Sequence, residues 1–110
     1  MARARATIDG GICGFQTRVL ADADDSFDVR YSIETDCPRV LSYAAELGAV
    51  NALVELALRH DATVLAAARD ERHGACVGCV IAAGIYKTMQ AAAGLALPAE
   101  SRIDVTTEKD

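Results

Sequence analysis

Phe27-Asp28-Val29-Arg30-Tyr31-Ser32-Ile33-Glu34, followed at once by Thr35-Asp36-Cys37-Pro38, decides how this chain folds. Phe27, Val29, Tyr31 and Ile33 alternate with Asp28, Arg30, Ser32 and Glu34. That period of two turns one face of a strand inward and leaves the other wet. A sheet of such strands is antiparallel and covered by helices on one side. At Pro38 the period changes. Proline suits the first helical position, where its missing N–H costs nothing and its φ is already helical. Val40, Leu41, Ala44 and Leu47 then give a helical stripe, ended by Gly48.

Upstream, residues 4–9 read as a strand leading into the Gly10-Gly11 turn. Phe15, Thr17, Val19 and Ala21 share one face of a second strand, and the polar run Asp22 to Ser26 is its turn into the third. Downstream, a second helix is expected from Asn51 to Arg59, with Leu53, Val54, Leu56 and Ala57 inward. Asp61 is expected to N-cap a third helical segment through Arg69. Asp70 to Gly74 is a charged connection. Ile81, Ile85, Met89 and Ala92 fall at helical spacing in a last helix, Val80–Ala93, with Gly94 as its C′ residue and Pro98 beyond. Residues 101–107, Ser-Arg-Ile-Asp-Val-Thr-Thr, alternate as a final strand. The order β-β-β-α-α-α-α-β predicts an α+β fold, a small antiparallel β-sheet covered on one face by helices. At 110 residues the chain has the length of a single globular domain, 1–110.

With 52% hydrophobic and 25% charged residues, the composition is that of a globular protein. A net charge of −5 argues against a nucleic-acid partner, because phosphate binding needs a concentrated positive surface. Arg3 and Arg5 are the only basic cluster. With no Trp, three Tyr and two Phe there are few platforms on which bases could stack. No stretch approaches the length of a membrane span. The arm from Met1 to Gly10 carries arginines without an apolar region behind them, unlike a secretory signal. The expectation is a cytoplasmic protein with neither membrane nor nucleic acid as partner. In a reducing compartment, four cysteines mean metal or redox chemistry more often than a disulfide frame.

Those four are Cys13, Cys37, Cys76 and Cys79. Cys13 lies in a glycine-flanked turn, Gly10-Gly11-Ile12-Cys13-Gly14-Phe15, where Gly14 leaves backbone N–H groups free to approach sulfur. Cys37 is the expected N-cap before Pro38. Cys76 and Cys79 form a C-x-x-C at the start of the last helix. Unpaired N–H groups and the positive end of the dipole favour a thiolate there. Four thiolates suffice for a tetrahedral zinc or an iron–sulfur cluster. The structural alternative is that they pack as small hydrophobes. They can converge only if the first hairpin and the first helix begin at one edge of the sheet.

Other chemistry-bearing residues have simpler explanations. His73, three residues before Cys76, is an alternative ligand, but a solvated histidine in a charged turn explains it better. His60 is a favourable partner for a helix C-terminal dipole. Asp22, Asp24 and Asp25 lack calcium-loop spacing and read as a hairpin turn. There is no nucleophile elbow, phosphate-binding glycine loop or H-E-x-x-H, so no enzyme active site is visible.

G-I-C-G-F near the start, I-E-T-D-C-P after the long strand, C-x-x-C before a helix and A-A-A-G-L-A-L-P after it cover nearly the whole chain. Together they resemble a small uncharacterised cysteine-containing family of methanogenic archaea and anaerobic bacteria. The resemblance implies a shared cysteine site and no established activity. Members often carry proline after the C-x-x-C, where this chain has Val80. A looser topological similarity is to iron–sulfur scaffold proteins of the IscU/NifU kind and to the cysteine-containing tail domain of some ribonucleotide reductases. It implies that Cys13, Cys37 and the 76/79 pair meet at one end of the sheet.

Four functions compete. The first is a small cytoplasmic metal-binding domain holding zinc or an iron–sulfur cluster through Cys13, Cys37, Cys76 and Cys79. The second is an iron–sulfur or sulfur-transfer scaffold with an acidic surface for a protein partner. A dithiol oxidoreductase using Cys76 and Cys79 is the third, and it lacks the usual βαβ context. The last is a non-enzymatic interaction domain with packed cysteines. The sequence favours the first and leaves the metal and the oligomeric state open.

Overall fold

The computed structural model describes residues 2–109, and its first three strands follow one another as hairpins. Strand β1 is Ala2–Asp9, β2 is Gln16–Ala23 and β3 is Asp28–Thr35. Helix α1, Pro38–Leu47, is followed by the two-residue strand β4, Val50–Asn51. Three helices then complete the order: α2, Ala52–Leu58; α3, Thr63–Ala68; and α4, Ile81–Ala92. The sheet is antiparallel throughout, in the order β1-β2-β3-β4. Its inner face, with Ile8, Thr17, Val19, Ala21, Ala23 and Val29, is buried, whereas Arg3, Arg5, Arg18, Arg30 and Glu34 face water. Helix α4 lies across β1 and β2, and α1 packs on β3. The expected α+β class, a helix-covered antiparallel sheet, is the architecture found.

Local chemistry explains the turns. At the β2–β3 turn the Asp24 carboxylate accepts the N–H groups of Ser26 at 2.9 Å and Asp28 at 3.0 Å. This Asx geometry is the hairpin role expected of the aspartates. Helix α4 ends in a Schellman motif: Leu95 N–H reaches Gln90 O at 2.8 Å, Gly94 N–H reaches Ala91 O at 3.2 Å, and Gly94 has φ +74°. Ile81, Ile85, Met89 and Ala92 are buried along it, as their spacing requires.

Four expectations are corrected. In α1 the inward residues are Val40, Tyr43 and Leu47, with Leu41 exposed. Tyr43 displaces it because its ring fills the core while its hydroxyl donates to Val64 O at 2.8 Å. In α2 the buried residues are Ala52 and Glu55, and Leu53 and Val54 point outward. Glu55, 1% exposed, accepts the N–H groups of Thr63 at 2.9 Å and Val64 at 2.8 Å. It therefore satisfies the first amides of α3, the task expected of Asp61, and seating it there turns Leu53 and Val54 to solvent. Asp61 instead lies in a 3-10 turn, Arg59–Asp61. Finally, residues 101–107 form no strand; Ile103 and Val105 are exposed, and the fourth strand is Val50–Asn51. A strand needs a ladder partner, and beyond Gly94 the chain meets no sheet edge.

The helix layer approaches the sheet most closely at Gly84, in the first turn of α4. A Cβ there would stand 2.5 Å from Ile8 Cδ1 and 2.9 Å from Ile8 Cγ1. Alanine is the better helix former by about 1 kcal/mol, yet Gly84→Ala is expected to destabilise the domain. Overpacking of this kind costs about 1–3 kcal/mol. The urea midpoint should fall; a rise would show that α4 and β1 do not meet at this glycine.

Candidate metal centre

Register decides where the ends of the strands lie. Ile8 pairs with Thr17, and Thr17 with Thr35, so β1 ends, β2 begins and β3 ends at one edge of the sheet. The threonines tie this edge together: Thr17 Oγ1 donates to Thr35 Oγ1 at 2.9 Å, and Thr35 Oγ1 accepts Cys37 N–H at 3.2 Å. Cys13 sits in the turn from β1 to β2, and Cys37 is the N-cap of α1, two residues past Thr35. Helix α4 begins at the same end, since Gly84 meets Ile8 while Ala92 and Gly94 line a cavity with Ala2 at the other. The C-x-x-C therefore starts beside the Cys13 turn. Both the hairpin and the first helix begin at one edge, the condition for convergence.

Cys13 and Cys76 are exposed, while Cys37 and Cys79 are half-buried against the core. The Cys79 thiol is pushed up from its ordinary pKa, first by burial and further by the charges of Cys76, Cys13 and Cys37. All three other cysteines thus lie within electrostatic reach of Cys79. One contribution opposes the shift: the Ile81 N–H, free at the start of α4, donates to Cys79 sulfur. Cys79 N–H closes the turn on Cys76 O at 3.0 Å. Such a turn presents two sulfurs to one side and free helix amides behind them. Among the described residues no three His, Cys, Asp or Glu side chains stand as a ligand group.

The Cys13 turn is built by glycines, though not as expected. Gly14, at φ +74°, gives its N–H to Gly11 O at 3.0 Å, so it closes the turn instead of leaving an amide for sulfur. The residue that matters to sulfur is Gly10. Its backbone is ordinary right-handed, φ −76° and ψ −9°, which alanine adopts freely. A Cβ at Gly10 would nevertheless collide with Cys13 Sγ. The missing side chain is the space in which the thiol lies, and only a turn ending in C-G offered a hint of it.

His73 is drawn away from the cysteines. Its Nδ1 is 2.9 Å from Ser42 Oγ and its Nε2 is 3.8 Å from Glu46 Oε1, both on α1. The Asp70 carboxylate accepts the N–H groups of His73 and Arg72, which hold it below its ordinary pKa. His60 is exposed, and its carbonyl accepts from Arg69.

The model of a family described only as of unknown function, DUF6951, matches residues 4–105. No curated protein and no solved structure matches the chain.

Two outcomes follow from this geometry. Gly10→Ala crowds Cys13 Sγ and the Phe15 carbonyl, so it should lower the unfolding free energy by about 1–3 kcal/mol while altering the rate at which Cys13 reacts with a thiol reagent. An unchanged Cys13 rate would mean that the sulfur does not occupy that space. The second concerns pH. Folding holds Cys79 protonated, so the unfolded chain loses that proton first as pH rises. Stability of the metal-free domain should be full below the ordinary thiol range and fall as pH climbs through it. Cys79→Ala should flatten the fall in chemical denaturation, and a wild-type stability that rises over this interval would contradict the assignment.

Proposed function

The chain belongs to this family of unknown function, and we propose that it is a small metal-binding domain in which Cys13, Cys37, Cys76 and Cys79 hold one zinc ion or iron–sulfur cluster. The observation that supports the reading is the register that brings the Cys13 turn, the Cys37 N-cap and the start of α4 to one end of the sheet. Cys37 and Cys79 pack partly against the core, whereas Cys13 and Cys76 are exposed and add nothing to it. That core is closed around Tyr43, Ile81, Ile85 and Met89 without Cys13 or Cys76. Thiolate ligands suit zinc and iron–sulfur alike. The proposed setting is the reducing cytoplasm of anaerobes, as the motif resemblance to proteins of methanogenic archaea and anaerobic bacteria implies. Of membrane attachment, it is established that no helix among the described residues is long and apolar enough to cross a bilayer.

A second reading, an iron–sulfur or sulfur-transfer scaffold, is favoured by one further feature. Among the described residues Ile12 and Val77, the residues before Cys13 and after Cys76, are the most exposed large apolar side chains, each at 107%. Apolar residues placed in water beside two reachable thiols suit a centre that meets a protein partner. In this reading a cysteine thiolate attacks the outer sulfur of a persulfide donor, the donor's thiol leaves, and the persulfide left on the cysteine is detected by mass spectrometry of wild type against Cys→Ser variants. A dithiol oxidoreductase and a purely structural role for the cysteines make different demands on the same variants.

Metal analysis and visible absorption of anaerobically purified protein provide the test. Replacing any one of the four cysteines by serine should weaken metal binding by more than the roughly 10–100-fold that loss of an outer-shell partner costs. If Cys13→Ser and Cys37→Ser left the bound metal or dithiol activity intact, the centre would reduce to the 76/79 pair. A colourless, metal-free wild type under both aerobic and anaerobic purification would end the metal reading.

A further inference from the structure

Strand β1 is eight residues long and lies at the margin of the sheet, with β2 on one side only. Its outer N–H and C=O groups are a template for another strand. Ala4 and Ala6 face the helices with small side chains, while Arg3 and Arg5 stand on the wet face. Arg3 reaches Asp22 at 3.4 Å, and Arg5 has no ion-pair partner among the described residues. Two copies of β1 paired antiparallel about Arg5 would set Arg5 against Arg5, like on like.

The chain also carries a strand without a sheet. From Leu95 to Lys109 the backbone has no regular structure, and Ile103 and Val105 are 74% and 81% exposed. Ser101-Arg102-Ile103-Asp104-Val105-Thr106-Thr107 nonetheless alternates as a half-buried strand does. Laid antiparallel on β1 with Asp104 opposite Arg5, it sets Ile103 opposite Ala6 and Val105 opposite Ala4. Large apolar side chains then cover small ones on the helix side. On the wet side Asp104 meets the free Arg5, and Arg102 lies opposite Thr7 with Asp9 on the diagonal. Cross-strand pairs of this kind are what stabilise a sheet.

The segment's own β1 is the wrong partner for that register. Helix α4 ends beside Ala2, so a tail turning back onto the same β1 would start at the Ala2 end and run parallel to it. With Asp104 against Arg5, a parallel tail puts Arg102 against Arg3, like on like. The antiparallel pairing is open to the tail of a second copy.

We propose that two copies of this chain form a symmetric dimer by exchanging residues 101–107, each segment adding as a fifth strand to the partner's β1. The exchange closes both sheet margins at once and uses the same pairing twice, as a two-fold axis requires. Sedimentation velocity on the full chain across the micromolar range tests it. Wild type should sediment as a dimer, and the double variant Ile103→Asp/Val105→Asp as a folded monomer that keeps the helical circular-dichroism signal and the denaturation midpoint of wild type diluted to monomer, because both residues are exposed outside the core. Arg5→Glu should weaken the dimer roughly tenfold, and Asp104→Arg in the same chain should restore most of the loss. A wild type that stays monomeric at every concentration overturns the proposal. So does a dimer indifferent to both the Ile103/Val105 and the Arg5/Asp104 changes.

Discussion

The close approach of Gly84 to Ile8 is the contact on which the rest of the molecule turns. Helix α4 is the largest apolar body laid on the sheet, and it could slide along β1 were its contacts all of one size. The absent side chain at Gly84 and the branched one at Ile8 admit one seating. That seating puts the start of α4, with Cys79, against the end of β1, where the chain turns through Cys13. The strand register supplies the remainder, because Ile8, Thr17 and Thr35 stand in one row across three strands. Cys37 follows Thr35 by two residues. A packing contact thereby becomes a chemical one.

A division of labour runs through the domain. Its interior is satisfied largely by apolar packing and by one buried carboxylate, Glu55, which takes both free amides of α3. Tyr86 donates to the Glu55 carbonyl at 3.3 Å. The hydroxyls of Tyr43 and Tyr31 are held above their ordinary pKa, first by burial and then by charges that include Glu55. Tyr31 alone keeps a buried hydroxyl with no hydrogen-bond partner among the described residues. The cysteine end contributes little to this interior. It is a surface construction of two turns and two helix starts, the low-cost place to hold groups that must remain reachable.

Much of this was legible in the sequence, and the exceptions have physical causes. The alternation of Phe27 to Glu34, the proline after Cys37 and the stripe from Ile81 to Ala92 each carry a period that a single structure explains. The inward face of α2 was not legible, because leucine and valine ordinarily outrank glutamate for burial. Only the unsatisfied amides of a helix nine residues away reverse that order. The strand expected at 101–107 has the right period and lacks a partner in its own chain, which no local pattern reveals. At the thiol end, the identity of the four cysteines and their helix-start positions were legible. The row of Ile8, Thr17 and Thr35 that gathers them was not, since it depends on register, and the space at Gly10 depends on where one sulfur turns.

X-ray absorption at the edge of whichever metal accompanies the purified protein most directly measures the central claim, that sulfurs from three segments share one centre. The account predicts a first shell of four sulfur scatterers, at about 2.3 Å if the metal is zinc, which loses one sulfur in Cys13→Ser or Cys37→Ser protein. A first shell made of nitrogen and oxygen, or one with two sulfurs that neither substitution alters, would contradict it.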